Sequence, residues 1–341
     1  MYYVFCVGYQ SLLFMLYLKN VLGKEISVVT NSTDVVKYCK EENINYIFIK
    51  QLSPRVTSIF RLFAFKKILD DVIKKIDMGK EDIYIMTGMA IGYEQFYLAK
   101  ELTKKGNVYN MRISRDLKIF KPSKSKPIFI SGKIGKFFLK IALDLDTIYY
   151  ESNKDPRIGI DNSFLEKYGI KEYKSNLKFQ DMALKAVKSS KSNYKEYDNL
   201  ILDQGPIENI VSLDSVSKLY KKIFDLKLKF ALKKHPTLEK ESSDAASVHY
   251  KVFDSCEELP AYIPAELFYN NIRKNVLTLF SASIITASQF EHIKAISLLE
   301  LIHWHHESYK KEFKNYLMKE SKNKVIFPNS FEELKEILLN E

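Results

Sequence analysis

The stretch Asn275–Ser288, NVLTLFSASIITAS, has a clear pattern of two apolar runs separated by a short polar turn, Ser281-Ala282-Ser283. This order predicts a buried parallel strand, a tight turn and the first turn of a helix. The first amides of a helix lack intrahelical partners and attract anions, so we expect the hydroxyls of Ser281 and Ser283 to add donors to a phosphate there. The plainer alternative is that Ser283 only caps the helix.

Strand-like and helix-like segments alternate through the first half of the chain. This alternation predicts a parallel sheet covered on both faces. Such sheets bind ligands beyond the carboxyl ends of their strands, so we expect the turn Gly8–Ser11, with Gln10, to face a substrate. The predicted strands are Tyr2–Val7, Ile26–Thr30, Tyr46–Ile49, Ile83–Met86 and Val108–Ile113, and the predicted helices are Leu12–Leu22, Asp34–Glu41, Phe60–Ile76 and Gly92–Lys105.

A second alternation follows a polar segment, Lys188–Tyr197, that has the composition of an interdomain linker. We therefore predict an α/β protein of the GT-B type, with two Rossmann-like domains, 1–190 and 199–341, whose parallel sheets face each other across a cleft. The predicted elements of the second half are strands Leu200–Leu202, Leu226–Leu232 and Val248–Phe253, a helix from the cap Ser212 to Asp225, a short helix at Ile263–Leu267, an apolar segment Ile293–Leu298 and a helix His305–Glu320.

Composition and charge limit the class of protein. The chain has 341 residues, 46% of them hydrophobic and 28% charged, with a formal net charge of +11, which fits a soluble two-domain protein. Its lysines are spread along the whole chain without a nucleic-acid-binding motif, so no nucleic acid is expected as a partner. A basic nucleic-acid-binding protein is kept as an alternative.

Cysteine usage and hydropathy indicate the compartment. Cys6, Cys39 and Cys256 are far apart and odd in number, which predicts buried thiols in a reducing compartment. No apolar stretch of about 18 residues predicts a membrane span. We expect a cytoplasmic protein; peripheral contact with the inner face of the membrane, and a homodimer, remain open.

Chemistry-bearing residues follow several predicted strands of the second half. Asp203 and Glu208 lie in the loop after the strand Leu200–Leu202, and His235 ends the basic turn Lys233-Lys234-His235-Pro236. Together with Glu266 and the two serines, they are expected at the carboxyl edge of one sheet. Lys233 and Lys234 are expected to be a solvated face that also attracts a nucleotide.

Two other clusters are assigned to surface or packing. The tripeptide Asp144–Asp146 has the spacing of a metal-binding DxD, but it lies within an apolar run. The cluster His303–His306 lacks a carboxylate or cysteine that would complete a metal site. No metal is therefore expected.

The order of His-Pro after a basic strand, then IPAELFYNN, then a Ser-x-Ser strand end resembles bacterial sialyltransferases of the GT-B fold. The lipooligosaccharide sialyltransferases of glycosyltransferase family 52 are the most similar group, and Tyr9-Gln10 is similar to that family's opening. The resemblance implies transfer of sialic acid from CMP-sialic acid to a glycan hydroxyl, such as that of a terminal galactoside. It also implies inversion, with no metal and no cofactor.

The resemblance also implies roles for single residues. His235 would contact the departing phosphate as a general acid, Ser281 and Ser283 would bind that phosphate, and Glu266 would bind the ribose hydroxyls. Glu208 is preferred as the base because Glu208-Asn209-Ile210 lies at the expected place, although it lacks the family's second acid and glycine. Asp203 is held in reserve because Asp203-Gln204-Gly205 keeps an acid and a glycine. Gln10, Lys234 and Pro236 complete the predicted binding set.

Purely structural roles for these residues and other functions of the protein are kept as alternatives to this hypothesis. In the structural alternative, His235 packs on Pro236 and Glu266 caps the first turn of its helix. The alternative functions are a GT-B enzyme that uses another nucleotide sugar and a glycan-binding relative without activity.

Overall fold

The computed structural model describes residues 1–50, 59–88, 93–112, 132–145, 165–190, 194–204, 209–234, 253 and 255–340. The chain divides into two compact units, Met1–Met182 and Ala183–Glu341. Each unit has its own parallel sheet. The predicted class of two α/β domains with parallel sheets is confirmed.

The sheet of the first unit has the order β3-β2-β1-β4-β5-β6, with every neighbouring pair parallel. The chain enters at the centre and the order reverses between β1 and β4, which is the point where open α/β sheets bind ligands. The strands are β1 Tyr2–Phe5, β2 Ile26–Thr30, β3 Asn45–Phe48, β4 Ile83–Gly88, β5 Asn107–Arg112 and β6 Lys171–Glu172.

Helices connect these strands and bury their apolar stripes against the sheet. One core cluster joins the buried rings of Phe5, Tyr84 and Phe96 to Leu69 and Leu143, so that strand and helix residues share one interior. The helices between these strands are Tyr9–Leu16 with a π-helical continuation Tyr17–Val21, Thr33–Glu41, Ile59–Lys75, Tyr93–Leu102 and Gly132–Leu143. The helix Phe179–Ser189 follows β6 and contains the boundary between the two units.

The sheet of the second unit has the order β11-β10-β7-β8-β9, and it too is parallel throughout. Its order reverses between β7 and β10. The strands are β7 Tyr197–Leu202, β8 Phe230–Lys233, β9 Glu257–Glu258, β10 Ile272–Thr278 and β11 Lys294–Ser297, and the helices are Leu213–Asp225, the 3₁₀ helix Ala265–Asn271, Ile284–Ala287, Glu307–Ser321 and Phe331–Leu339.

The predicted helix from Ser212 to Asp225 is confirmed, with the Ser212 hydroxyl accepting the Ser215 amide at 3.4 Å. The strand predicted to start at Leu226 is wrong in its first half. Lys227 has a positive φ of 56° and ends the helix, so the strand begins only at Phe230. Alternation of apolar and lysine residues in this stretch therefore reflects a helix end followed by a short strand.

Two other predictions need correction. The helix after β1 begins at Tyr9, so the predicted turn Gly8–Ser11 is wrong. The cause is Ser11, whose hydroxyl accepts the Gly8 amide at 3.1 Å and donates to the Gly8 carbonyl at 2.7 Å. The predicted linker Lys188–Tyr197 begins inside a helix and ends in β7, and the predicted strand Val248–Phe253 lies outside the described residues except for its last residue.

Candidate functional site

The polar residues that follow β7 and β10 meet at the strand-order reversal of the second unit. β7 ends at Leu202 and is followed by Asp203 and Gln204, which are 4% and 8% exposed. β10 ends at Thr278, with Leu202 as its partner in the parallel ladder. These carboxyl ends are where a sheet of this order binds ligands.

Thr278 ties the two strand ends together through one buried hydroxyl. Its Oγ1 donates to the Leu202 carbonyl at 3.2 Å and accepts the Gln204 Nε2–H at 2.8 Å. It also accepts the Ser281 amide at 3.1 Å, so the turn after β10 is held from the strand itself. Sequence reasoning missed Thr278 and Gln204; the signal for Thr278 was a hydroxyl within the apolar run Val276–Phe280.

The helix after this turn corrects the predicted source of phosphate donors. Ile284–Ala287 has four residues, and the amides of Ile284, Ile285 and Thr286 donate to carbonyls of the turn at 3.0–3.3 Å. These amides already have partners, so they are not open to a phosphate. Ser283 stands at the cap position without making a side-chain capping bond, so the plain capping role is wrong as well.

Two other donors of the turn have no acceptor among the described residues. The Ser281 Oγ accepts the Ser283 amide at 3.3 Å, and within the described chain its own proton is given to no acceptor. The Ala282 amide likewise makes no hydrogen bond to any described residue. Both residues are partly exposed. A small anion could therefore take one hydroxyl and one amide from this turn.

A buried tyrosine fixes the second serine. The Tyr269 hydroxyl lies 2.5 Å from Ser283 Oγ, with either oxygen as donor, and 3.2 Å from the Ser283 carbonyl. Burial, and then the nearby charge of Glu266, raises the pKa of Tyr269 well above its usual range, so the phenol stays protonated. Glu266 itself is partly exposed in the first turn of the 3₁₀ helix, after Pro264.

Asp203 is held at the end of its strand. Its Oδ1 accepts the Gln204 amide at 2.8 Å, and its own amide donates to the Lys233 carbonyl at 3.0 Å. Burial, and then the charge of Asp203, raises the pKa of Tyr220 well above its usual range. A base must reach the proton that it accepts, and the small exposure of Asp203 gives its carboxyl little access to a glycan hydroxyl.

The two lysines before the His-Pro dipeptide differ in environment. Lys233 is 3% exposed and its Nζ donates to the Ala261 carbonyl at 3.0 Å, so its assignment to a solvated face is wrong. The Lys234 ammonium pairs with the Glu258 carboxylate at 2.6 Å and is about a quarter exposed. Lys233 is the last residue of β8, a strand between two neighbours whose four residues are all buried, and the basic run along the chain did not indicate this.

The remaining predicted site residues are only partly placed. Glu208, His235 and Pro236 lie outside the described residues, so their roles stay predictions. Gln10 is partly buried in the first turn of the helix Tyr9–Leu16, which follows β1 in the first unit.

No group of metal-ligating side chains occurs among the described residues, and Asp146 of the predicted DxD tripeptide lies outside them. Asp144 ends a helix with a positive φ of 50°, and hydrogen bonds from Lys100 and Lys140 lower the pKa of its carboxyl to about 2. His303 and His305 are exposed, with ring centroids 6.2 Å apart, on either side of the buried Trp304.

A groove of about 600 Å³ lies at the opposite, amino-terminal edge of the second sheet. Its rim is charged, but Lys195 pairs with Glu257 and Arg273 pairs with Glu196. The groove therefore lies away from the strand ends that carry the candidate site, and two of its charged pairs are already formed within the protein.

Comparison with known proteins gives similarity of structure alone. No protein-family profile matches the chain, and no curated protein matches it in sequence. The S. aureus MnaA–UDP co-structure is 13% identical with a TM-score of 0.48, covering 95% of this chain and 91% of that one. UDP-GlcNAc 2-epimerase from Neisseria meningitidis bound to UDP-GlcNAc is 10% identical with a TM-score of 0.44, covering 96% and 95%.

The E. coli heptosyltransferase WaaC with ADP-2-deoxy-2-fluoro heptose is also similar, with 9% identity and a TM-score of 0.39, covering 87% of this chain and 88% of that one. At these TM-scores the likeness carries no argument about what this chain binds or does.

Proposed function

We propose that the chain is a glycosyltransferase of the GT-B class that moves sialic acid from CMP-sialic acid to a hydroxyl of a bacterial surface glycan, with inversion and without a metal. The observation that carries the proposal is the polar turn at the carboxyl end of β10, where Ser281 and Ala282 offer two open donors at the strand-order reversal. Sheets of this order bind nucleotides at that point. The choice of CMP-sialic acid as the sugar donor rests on the ordered sequence motifs from His235 to Ser283.

In the proposed reaction a sugar hydroxyl attacks the anomeric carbon while CMP leaves. Ser281 and the Ala282 amide hold the leaving phosphate, and donors fixed in place stabilise its growing charge without reorganisation. One such donor is worth on the order of 3 kcal/mol in the transition state. His235 protonates or hydrogen-bonds the phosphate, and Glu208 accepts the proton of the attacking hydroxyl. Asp203 is the reserve base, and its burial makes it the weaker choice.

The other predicted residues bind the substrates. Glu266 takes the ribose hydroxyls of the cytidine, and Tyr269 keeps Ser283 oriented toward the phosphate. Lys234 and Pro236 flank His235 in the sequence. In this proposal Gln10, in the first unit, contributes to acceptor binding.

Mass spectrometry of reactions with CMP-sialic acid and a panel of galactosides, in EDTA, tests the proposal. We expect one sialic acid mass on an acceptor, with turnover lowered ~10²-fold or more by His235→Ala and by Glu208→Ala. Glu312→Ala, an exposed glutamate on a helix of the same unit, is the matched control and should keep full turnover. Full rate in Glu208→Ala with loss in Asp203→Ala would move the base to Asp203.

Thermal stabilisation by CMP, UDP and GDP separates the alternatives. Stabilisation by UDP alone would contradict the sialic acid donor and indicate another nucleotide sugar. CMP binding without turnover would indicate a relative without activity. Salt-dependent binding to nucleic acid, with no affinity for CMP, would contradict a glycosyltransferase altogether.

A further inference from the structure

Two neighbouring helices of the first unit expose large apolar side chains. Phe60 is 82% exposed and Phe63 is 46% exposed on the helix Ile59–Lys75. On the helix Gly132–Leu143, Phe137 is 61% exposed and Ile141 is 49% exposed. Several large apolar side chains exposed on neighbouring helices need an explanation, whereas a single exposed apolar side chain does not.

These side chains belong to one surface. The two helices contact each other, and both bury their inner residues, among them Leu62, Phe65, Ala142 and Leu143, in the same hydrophobic cluster. Because the inner faces share one core, the outer faces lie side by side and point away from the sheet. Within the described chain no helix is both long and apolar enough to cross a membrane.

The surface is also basic. The helix Ile59–Lys75 has five basic and two acidic residues. On the helix Gly132–Leu143, Lys140 pairs with Asp144 at 3.0 Å, so the unpaired basic groups among the described side chains are on the first helix. Both acids are already partnered, Asp70 by Lys66 and Asp71 by Lys74. Lys67 is exposed on the same helix face as Phe60 and Phe63, seven and four positions after them, and Arg61 is exposed on the adjoining flank of that helix turn. Neither cation forms an ion pair with any described residue.

We propose that this lipid-docking face, formed by Phe60, Phe63, Phe137 and Ile141 with Arg61 and Lys67, binds an anionic lipid bilayer. Protruding aromatic rings beside basic groups suit the boundary of headgroups and acyl chains, where rings enter and cations meet anionic lipids. A second copy of the chain fits less well. A twofold contact would bring the same basic groups together on both sides without opposite charge to pair them.

Co-sedimentation of the full chain with vesicles tests this surface. We expect binding to vesicles of equal parts phosphatidylcholine and phosphatidylglycerol, weaker binding at high salt, and little binding to pure phosphatidylcholine. Phe60→Ser/Phe137→Ser should lower the partition coefficient at least about tenfold. Arg61→Gln/Lys67→Gln should lower it about fivefold per charge, on anionic vesicles only.

Met318→Ser/Leu339→Ser removes two exposed apolar side chains from helices of the second unit and is the matched control. It should bind vesicles as the wild type does. Equal binding by Phe60→Ser/Phe137→Ser and wild type, or no wild-type binding to anionic vesicles at low salt, would overturn the proposal. If the wild-type chain is a dimer that binds no vesicles, and Phe60→Ser/Phe137→Ser converts it to a monomer, the surface is an interface between copies of the chain instead.

Discussion

The hydroxyl of Thr278 offers a direct way to disturb the candidate site without touching a proposed ligand contact. Thr278→Val keeps the shape and the strand preference of the side chain but removes its three hydrogen bonds. Thr278→Ser is the matched control, since it keeps the hydroxyl and loses only a methyl group. Thr278 is fully buried, so water cannot replace the lost partner.

The magnitude follows from the groups that lose this partner. The Ser281 amide loses the hydroxyl as its acceptor, and the Leu202 carbonyl loses a donor. Gln204 Nε2 keeps only two weaker contacts at 3.4 Å. A buried polar group left unpaired costs about 1–3 kcal/mol, so Thr278→Val should lower the free energy of unfolding by about 2–4 kcal/mol. Loss of one buried methyl in Thr278→Ser should cost about 1 kcal/mol.

Urea unfolding followed by far-UV circular dichroism measures both variants, and calorimetry with CMP measures their affinity. We expect Thr278→Val to weaken CMP binding as well, because the turn that carries Ser281 loses its anchor. A Thr278→Val variant as stable as wild type, or less affected than Thr278→Ser, would refute this account of the strand ends.

Three further predictions concern buried groups. Lys233→Met should lower the free energy of unfolding by about 1–3 kcal/mol, because it leaves a buried carbonyl unpaired. Lys234→Met should lower it by less than about 1 kcal/mol in the same urea titration. Equal losses of stability in the two variants would contradict the difference in their environments. Burial raises the pKa of the Cys39 thiol from 9.0 to about 12, so the folded state keeps a proton that the unfolded state loses. Stability should therefore fall as pH rises from 9.0 to about 12, less steeply in Cys39→Ala; identical slopes would contradict the burial. Tyr269→Phe should keep the fold but weaken CMP binding about threefold to tenfold, because Ser283 loses its partner; unchanged affinity by calorimetry would count against that contact.

Hydrophobic periodicity predicted the architecture well wherever local signals agreed with packing. The helix Leu213–Asp225 was predictable because Ser212 is a capping residue and the apolar residues that follow have helical spacing. The buried strand β10 and the turn after it were predictable because an apolar run stops at Ser281. The strand β8 was placed too early, since alternation of residue types does not reveal the left-handed backbone of Lys227.

The candidate site was less predictable because its construction depends on contacts between distant parts of the chain. The Thr278 hydroxyl meets Gln204 only because β7 and β10 are neighbours in the sheet. Tyr269 was visible within IPAELFYNN but carried no sign that it would meet Ser283. Lys233 looked solvated because Lys234 and His235 follow it, whereas it is buried at the end of β8.

Isothermal titration of CMP into the wild-type chain and into Ser281→Ala tests the central claim, that the turn after β10 holds a nucleotide phosphate. A hydrogen bond to a charged group contributes about 1.5–3 kcal/mol, so Ser281→Ala should raise the Kd at least about tenfold. Ser255→Ala, at an exposed serine of the same unit, should leave the Kd unchanged. An equal Kd for wild type and Ser281→Ala, or no binding of CMP by the wild type, would contradict the claim.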